Sequence, residues 1–290
     1  MDKKLRIAIL GTRGIPARYG GFETFAEELS LRLVKRGHEV TVFGRRPFFS
    51  SVQETLEYKG VKIQYVPTIF HKYLETPLHG LSSFIAASKR DFDVILLCNA
   101  ANSPFSWILN LKGLPFAVNV DGIERKRAKW NSLGKLWYRL GERSSVLFAK
   151  QLIADAKVIR DYYKEKYSCE AVVIPYGASP IRRDTGKTLQ NFGLKAGQYL
   201  LYVSRLEPEN NALGVVQAYN DSGVTIPLVV VGEAPYAKEY IEQVKEAAGK
   251  GVIFAGFQFA EAYQELQSNC YLYIQATEVG GTHPALVEKR

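Results

Sequence analysis

The first residues of the chain that could do chemistry are two glycines, Gly20 and Gly21, just before a predicted helix. Glycines there let a ligand approach the backbone closely, and the free N–H groups of a helix N-terminus attract an anion. A tight turn that binds nothing would explain them equally well. The spacing of Gly11 and Gly14 differs from the GxGxxG of dinucleotide sites, and Arg45 stands where such a site needs an acidic residue. The loop therefore indicates either a different anion or a turn alone.

Two further segments place carboxylates directly after predicted strands. Asp121 opens the charged stretch 121–130, which also contains Lys126. A carboxylate at this sheet edge can orient a hydroxyl nucleophile while nearby cations hold a phosphate, although a solvated loop with Asp121 capping a turn is the alternative. Asp155 follows the next short strand, and there the alternative is a helix N-cap. Asp121, Lys126 and Asp155 are the candidate catalytic residues.

The second half of the chain offers candidate phosphate and sugar ligands. Arg205 follows a predicted strand, where a guanidinium can hold a diphosphate through two parallel hydrogen bonds. Gly280 and Gly281 open a predicted helix whose N–H groups could meet a phosphate. Glu288, two turns into that helix, could accept hydrogen bonds from sugar hydroxyls. Each of these features is weak when taken singly.

A metal site is not predicted. Asp91 and Asp93 precede a buried strand, whereas ligands of parallel sheets bind beyond the carboxyl ends of strands, so they indicate a helix–strand turn. The four histidines lack ligand spacing. The three cysteines form no CxxC pair, which argues against a disulfide framework and favours a reducing cytoplasm.

Composition narrows the class of protein. Of the 290 residues, 47% are hydrophobic and 23% charged, which is typical of a folded chain long enough for two domains. Residues 1–180 carry 28 Lys and Arg against 17 Asp and Glu, whereas residues 181–290 carry 10 against 12. The net charge of +11 on the first part indicates an anionic membrane surface, a phosphate-bearing substrate or nucleic acid. Nucleic acid ranks last, because no nucleic-acid-binding signature accompanies the charge.

A basic and aromatic helix lies within this positive part. Lys135, Arg139 and Arg143 alternate with Trp137 and Tyr138 at helical spacing. A membrane-surface helix has this composition, and so does a solvated helix beside a core.

Strand and helix patterns alternate along the whole chain, which predicts an α/β fold of parallel strands with crossover helices. The polar stretch 175–193 interrupts the alternation and is the candidate linker. We therefore expect two Rossmann-like domains, 1–180 and 181–290, with a cleft between them. The second would have only four strands and would lack its last helix, so we expect it to be incomplete at its C-terminus.

The order of these motifs resembles family 4 glycosyltransferases, which are retaining enzymes of the GT-B fold. The motifs are Gly20–Gly21, Asp121, the segment 174–177, Ser204–Arg205 with Glu209–Asn210, and the segment 280–288. The opening segments 11–23 and 120–130 resemble more narrowly a bacterial rhamnosyltransferase-like branch, which adds β-1,4-linked rhamnose to lipid-linked sugars in cell-surface polysaccharide synthesis. The resemblance covers essentially the whole chain.

The resemblance implies a role for each domain. The C-terminal domain would bind a nucleotide sugar, dTDP-rhamnose or a UDP-sugar, and the N-terminal domain a lipid-diphosphate-linked saccharide acceptor, with Asp121 and Lys126 near the reacting hydroxyl. No metal or other cofactor is implied, since cationic side chains and helix N-termini stabilise the leaving diphosphate. Arg205 would contact the diphosphate and Glu288 the ribose; the other donor-binding residues would be Gly20, Gly21, Glu209, Asn210, Gly281, Thr282 and His283.

Two positions depart from the family pattern. Asn210 replaces the usual diphosphate lysine, so phosphate affinity would depend more on Arg205 and backbone donors. Gly280 stands where the Glu-x7-Glu motif has its first glutamate, with Glu278 two positions earlier.

The expected location is cytoplasmic, peripheral at the inner face of the cell membrane. The alternative is an inactive or fragmentary module of the same fold that keeps acceptor or membrane affinity. An epimerase acting on sugar nucleotides is a lesser alternative.

Overall fold

The computed structural model describes residues 3–17, 21–46, 56–71, 73–120, 122–126, 130–178, 181–234, 237–278 and 284–288. The chain divides into two compact units, a first unit of residues 1–176 and a second unit of residues 177–290. The sequence had placed this boundary at residue 180.

The first unit is built on an eight-stranded sheet with the order β3-β4-β2-β1-β5-β6-β7-β8. Its pairings are parallel except for the short hairpin of β3 with β4. The strands are β1 (Arg6–Leu10), β2 (Glu39–Arg45), β3 (Glu57–Tyr58), β4 (Val61–Val66), β5 (Val94–Cys98), β6 (Phe116–Asn119), β7 (Gln151–Ala154) and β8 (Ala171–Val173). The helices are α1 (Gly21–Lys35), α2 (Glu75–Ala87), α3 (Trp107–Leu111), α4 (Ser132–Phe148) and α5 (Lys157–Tyr167), with 3₁₀ turns at Ala100–Phe105 and Glu124–Lys126.

The second unit repeats the architecture on a four-stranded parallel sheet with the order β11-β10-β9-β12. Its strands are β9 (Leu200–Val203), β10 (Leu228–Val231), β11 (Val252–Gly256) and β12 (Leu272–Ile274). Its helices are α6 (Lys187–Asn191), α7 (Ala212–Asp221), α8 (Lys238–Glu246), α9 (Ala260–Asn269) and α10 (Pro284–Glu288), with a 3₁₀ turn at Pro208–Asn210.

Both sheets are covered on their two faces, as the uninterrupted apolar strands predict. In β1, Ala8 and Leu10 pack into one buried cluster while Ile7 and Ile9 pack into another. In β9, residues 201 and 200 divide in the same way between two clusters. Helices therefore lie on both sides of each parallel sheet, and the α/β expectation of two Rossmann-like layers is confirmed.

The candidate linker is only partly irregular. Lys187–Asn191 forms α6, and Leu189 is buried in the core of the second unit. The carboxylate of Glu265 on α9 accepts hydrogen bonds from the N–H groups of Gly186 and Leu189, at 2.7 and 2.9 Å. Sequence periodicity missed this helix because a single turn buries one apolar residue, and its capping carboxylate comes from a distant helix.

Candidate active site

The loop after β1 is held against the next strand of the sheet. Gly11 has a φ of +90°, and a Cβ there would lie 2.2 Å from the carbonyl oxygen of Cys98, so only glycine fits. Asn102 donates its side-chain N–H groups to the carbonyls of Gly11 and Cys98, at 3.2 and 2.8 Å. The backbone of this loop is therefore fixed where β1 and β5 end.

Two glutamates one turn apart on α1 bind the same loop. Glu23 accepts from the N–H of Arg13 at 2.9 Å, and Glu27 accepts from the N–H of Ala17 at 2.7 Å. These two donors are occupied by protein carboxylates. Gly21 is the exposed first residue of α1, and Gly20 lies outside the described residues.

Buried charges line this edge of the first sheet. Glu75, in the first turn of α2, accepts from Arg13 Nε at 3.3 Å and forms a close ion pair with Arg45, the last residue of β2. Burial lowers the pKa of Arg45, and the nearby Glu75 carboxylate opposes that shift. His79, one turn further along α2, is fully buried, and burial together with the Arg45 charge holds its pKa well below the usual value. This cluster could not be predicted from the sequence, in which Arg45 stands out only because a dinucleotide site would have an acidic residue there.

The charged segment after β6 is anchored by one of its own cations. Asp121 lies outside the described residues, as does the side chain of Lys126. Arg125, in the 3₁₀ turn between them, donates to the hydroxyl of Tyr162 at 2.9 Å and pairs with Glu142 at 3.2 Å. Arg125 is therefore engaged in holding the turn against α4 and α5.

Glu142 is the centre of that anchor. It is a buried residue of α4 that accepts hydrogen bonds from Lys166 at 2.8 Å and from Tyr162 and Tyr167 at 2.7 and 2.5 Å. Burial alone would raise its pKa, but these bonds outweigh burial and the pKa is lowered. Burial and the Glu142 carboxylate raise the pKa of Tyr167 to about 12. The carboxylate is thus held ionised at the base of the candidate acceptor loop.

Asp155 lies directly after β7 and is fully buried. The N-cap of α5 is Ala156, so the N-cap alternative for Asp155 does not hold. The Asp155 carboxylate is therefore shielded from solvent in this structure.

In the second unit, the carboxyl end of β9 presents an exposed cation. The Arg205 side chain is 41% exposed, with Nη2 3.7 Å from Glu207. Its carbonyl oxygen accepts from the Asn210 side chain at 2.6 Å and from the Glu207 N–H at 2.8 Å. The backbone of Arg205 is therefore fixed, while its guanidinium faces solvent.

Asn210 and Glu209 are both buried in the 3₁₀ turn that follows. The Asn210 carbonyl accepts a close hydrogen bond from Tyr202, and burial raises the pKa of that phenol to about 12. Asn210, which takes the place of the family's lysine, thus holds the Arg205 loop with its amide.

The segment after β12 is attached to the same loop. The N–H of Glu278 donates to the Glu209 carbonyl at 3.0 Å, and its carboxylate accepts from Asn211 at 2.8 Å. Gly281, Thr282 and His283 lie outside the described residues, as does the side chain of Glu288, whose backbone ends α10.

One feature of this edge escaped the sequence analysis. Phe257 and Phe259 follow β11 and stack with their ring centroids 5.1 Å apart and their planes 12° from parallel. Both rings are exposed. The only available signal was two aromatics, two positions apart, after a predicted strand. Flat exposed rings of this kind are surfaces on which nucleobases stack.

At the opposite edge of the first sheet, Asp93 accepts from the N–H of Arg6 at 2.7 Å, and Asp91 pairs with the same arginine at 3.8 Å. The prediction that these carboxylates belong to a helix–strand turn is confirmed.

Within the described ranges, no three His, Cys, Asp or Glu side chains converge as metal ligands would. In that same part of the chain, no helix has both the length and the apolar composition to cross a bilayer.

A model of the family named Glycosyltransferase Family 4 matches residues 19–182, more than half of the chain. The chain belongs to that family. Comparison with curated proteins found no significant match to this glycosyltransferase.

Solved structures similar to this glycosyltransferase share its fold at low identity. Sucrose-phosphate synthase from Thermosynechococcus elongatus is 16% identical with a TM-score of 0.78, over 99% of this chain and 79% of the other. HepE from Anabaena, solved with UDP and glucose, is 18% identical with a TM-score of 0.70, over 94% of this chain and 74% of HepE. TarM from S. aureus, solved in a complex that includes UDP, is 8% identical with a TM-score of 0.70, over 98% of this chain and 83% of TarM. The fold is that of GT-B glycosyltransferases.

Proposed function

We propose that this glycosyltransferase transfers rhamnose from a nucleotide-diphosphate donor to a lipid-diphosphate-linked saccharide, with retention of configuration, in cell-surface polysaccharide synthesis. The second unit binds the donor and the first unit binds the acceptor. The enzyme works in the cytoplasm at the inner face of the cell membrane. The narrower resemblance of segments 11–23 and 120–130 supports rhamnose and the lipid-linked acceptor.

The exposed guanidinium of Arg205 is the observation that carries the donor half of this proposal. It stands at the carboxyl end of a parallel strand, which is where ligands of such sheets bind. A guanidinium at this place matches the geometry of a diphosphate and needs no metal. The complexes of HepE with UDP-glucose and with UDP support a nucleotide donor.

The stacked rings of Phe257 and Phe259 support the same assignment. They follow β11, whose carboxyl end lies at the same edge as that of β9 because the sheet is parallel. We assign the diphosphate to Arg205 and the base to these rings. Gly281, Thr282 and His283 would lie near the sugar and phosphates, and Glu288 would accept from the ribose.

In the first unit, the buried network of Glu142 and Arg125 supports the acceptor role of segment 121–126. Asp121 would orient the acceptor hydroxyl and Lys126 would hold the acceptor phosphate. Asp155, being fully buried, would act as a positioning residue at the same edge.

The chemical step needs few protein groups. The bond between the sugar C1 and the donor phosphate oxygen breaks, and a bond from C1 to the acceptor oxygen forms on the same face. The acceptor proton passes to the leaving diphosphate, whose negative charge Arg205 stabilises. The one-bond carbon–hydrogen coupling at the anomeric carbon of the product tests retention.

Calorimetry with dTDP-rhamnose, UDP-GlcNAc, UDP-glucose and GDP-mannose tests the donor site. We expect saturable binding of dTDP-rhamnose and a loss of about tenfold or more in Arg205→Ala, because a charge-assisted bidentate contact contributes about 1.5–3 kcal/mol. Arg183→Ala is the matched control. Its side chain is 43% exposed, also pairs with a glutamate, and contacts α9 rather than the strand ends.

Equal losses in the two variants would remove Arg205 from the donor site. Absence of binding by all four sugar nucleotides would favour the alternative of a module that keeps only acceptor or membrane affinity. Saturable binding of another donor in place of dTDP-rhamnose would keep the transferase and change its sugar.

A further inference from the structure

Helix α4 turns its leucine side chains toward solvent. Its four leucines Leu133, Leu136, Leu140 and Leu147 are 74, 50, 44 and 73% exposed. Their spacings of three, four and seven residues place them on one face of the helix. In an ordinary surface helix this face would be buried against the core.

Small and polar residues occupy the buried face instead. A Cβ on Gly141 would lie 2.4 Å from the carbonyl oxygen of Ala100, so the helix approaches that backbone closely. Ser145 is buried with its hydroxyl 2.8 Å from that of Ser103. Trp137 is half-buried and donates to a backbone carbonyl at 2.9 Å. Trp137 therefore helps attach α4 to the unit, and the leucines are left outside.

The leucine stripe adjoins a row of exposed cations. Lys135, Arg139 and Arg143 are exposed and spaced four residues apart, so they form a second stripe beside the first. The single acidic residue of α4 is Glu142, which is buried and paired within the unit. The outer surface of α4 therefore combines apolar and positive side chains with no negative charge.

The neighbouring helix extends this surface. Asn110 of α3 donates to the carbonyl of Phe148 at the end of α4, at 3.0 Å. Trp107 and Leu111 of α3 are also exposed. A tryptophan and several leucines beside lysines and arginines are the composition of helices that lie in a membrane interface.

We propose that the leucine stripe and the basic stripe of α4 form the surface by which the enzyme docks on an anionic lipid bilayer. This inference deepens the proposed function, in which the acceptor is carried by a lipid. The leucines enter the boundary between headgroups and acyl chains, while the basic side chains contact lipid phosphates. Because α4 begins directly after segment 121–130, docking places the proposed acceptor loop beside the membrane.

Charge selects a bilayer over a second copy of the chain. A two-fold interface on this face would bring the basic stripes of both copies together with no exposed carboxylate on α4 to pair with them. An anionic leaflet offers the opposite charge to the same stripe, and the net charge of +11 on residues 1–180 adds long-range attraction.

Vesicle flotation tests the proposal without donor or acceptor. We expect the wild-type chain to float with phosphatidylcholine vesicles that contain phosphatidylglycerol and to remain unbound with phosphatidylcholine alone. The triple variant Lys135→Gln/Arg139→Gln/Arg143→Gln should lose affinity on the order of 100-fold, given about fivefold for each basic residue near an anionic surface. The control Lys238→Gln/Lys245→Gln/Lys250→Gln removes the same charge from exposed sites of the second unit and should change affinity less than about twofold.

A second pair of variants tests the leucines. Leu133→Ser should weaken vesicle binding about tenfold. The control Leu56→Ser should leave it unchanged, because the Leu56 side chain, although 70% exposed, lies beside β3 at the other end of the sheet. Because all these residues are exposed, circular dichroism should show every variant folded.

Three results would overturn the inference: no binding of the wild type to anionic vesicles, equal losses in the two charge variants, or a lipid-free dimer that Leu133→Ser dissociates. Donor calorimetry separates this failure from failure of the proposed function. Lost vesicle binding with intact donor affinity contradicts only the docking surface, and intact vesicle binding without donor affinity contradicts only the transferase assignment.

Discussion

The two sheet edges that carry the candidate site are built by different interactions. In the first unit, charged side chains meet below the surface: Glu75 holds Arg13 and Arg45, and Glu142 holds Arg125. In the second unit, amide side chains and backbone groups hold the loops, leaving the guanidinium of Arg205 exposed. Buried charges are costly when a partner is removed, whereas neutral hydrogen bonds are individually weak. The first edge is therefore held by buried charges, and the second by uncharged groups, with an exposed guanidinium beside them.

The largest effect is expected from removing Glu75, the carboxylate that two arginines share at the edge of the first sheet. We expect Glu75→Met to lower the free energy of unfolding by about 3–5 kcal/mol, because the buried guanidinium of Arg45 loses its carboxylate partner and the half-buried Arg13 loses one of its contacts. Urea unfolding followed by tryptophan fluorescence measures this in the first unit, since Trp107, Trp130 and Trp137 all lie there.

The double variant Arg45→Met/Glu75→Met is the control for that prediction. It should recover most of the loss, because a buried ion pair replaced by apolar side chains is often close to neutral. A double variant as unstable as the single one would show that packing, not the unpaired charge, sets the cost.

The second prediction concerns Glu142, the carboxylate that pairs with Arg125 at the base of the candidate acceptor loop. We expect Glu142→Gln to cost about 2 kcal/mol at pH 7, where Arg125 and Lys166 would lose an ionised acceptor. The pKa of Glu142 in the folded chain is lower than its ordinary value of 4.5, so its stabilisation is complete above that pH and is lost as the pH falls through the lower value. The difference between wild type and variant should therefore be constant from pH 7 to about 5 and shrink below that.

Glu165→Gln provides the matched control, since Glu165 is exposed on the neighbouring helix α5. It should change stability by less than about 0.5 kcal/mol at any of these pH values. A similar cost in both variants would mean that the edge responds to net charge rather than to the buried pairing.

The smallest effect is expected in the second unit, from removing the Asn210 side chain that holds the loop of Arg205. Asn210→Leu removes the amide that binds the Arg205 carbonyl and should cost about 1 kcal/mol, read from faster hydrogen exchange of the β9 amides. Donor affinity should fall a few-fold, because the loop that carries Arg205 is less well held.

Asn220→Leu removes a similar contact between an amide side chain and a carbonyl, at the end of α7 and away from the strand ends. It should cost a similar amount of stability and leave donor affinity unchanged. If it weakened donor binding as much as Asn210→Leu, the specific link between Asn210 and Arg205 would be lost.

Much of the fold could be predicted from the sequence because apolar runs and helical periodicity record local structure. Apolar or alternating stretches of the sequence coincide with the strands β1, β4 and β5, and apolar residues at helical spacing coincide with α1 and α7. Gly37, just after α1, has a φ of +89°, as glycines that end helices often do. The edge rule for parallel sheets also placed Asp155 and Arg205 correctly at strand ends.

Pairings between distant elements could not be predicted. Nothing local connects Arg45 with Glu75, thirty residues later, or Arg125 with Glu142, because charge partners depend on how helices pack. The periodicity of apolar residues also divides a helix into faces, but it does not determine which face packs against the core. In α4 the leucine spacing resembles a core stripe, yet Gly141 and Ser145 face the unit because the 3₁₀ turn at Ala100–Phe105 approaches too closely for larger side chains.

The bonds from α1 to the first loop have a consequence for solvent exchange. Amide protons in glycine-rich loops ordinarily exchange with solvent at nearly the rate of an open chain, but those of Arg13 and Ala17 are held by Glu23 and Glu27. They should therefore appear as two slowly exchanging positions in this loop. A change in the exchange rates of these two amides on substrate binding would therefore show whether α1 moves.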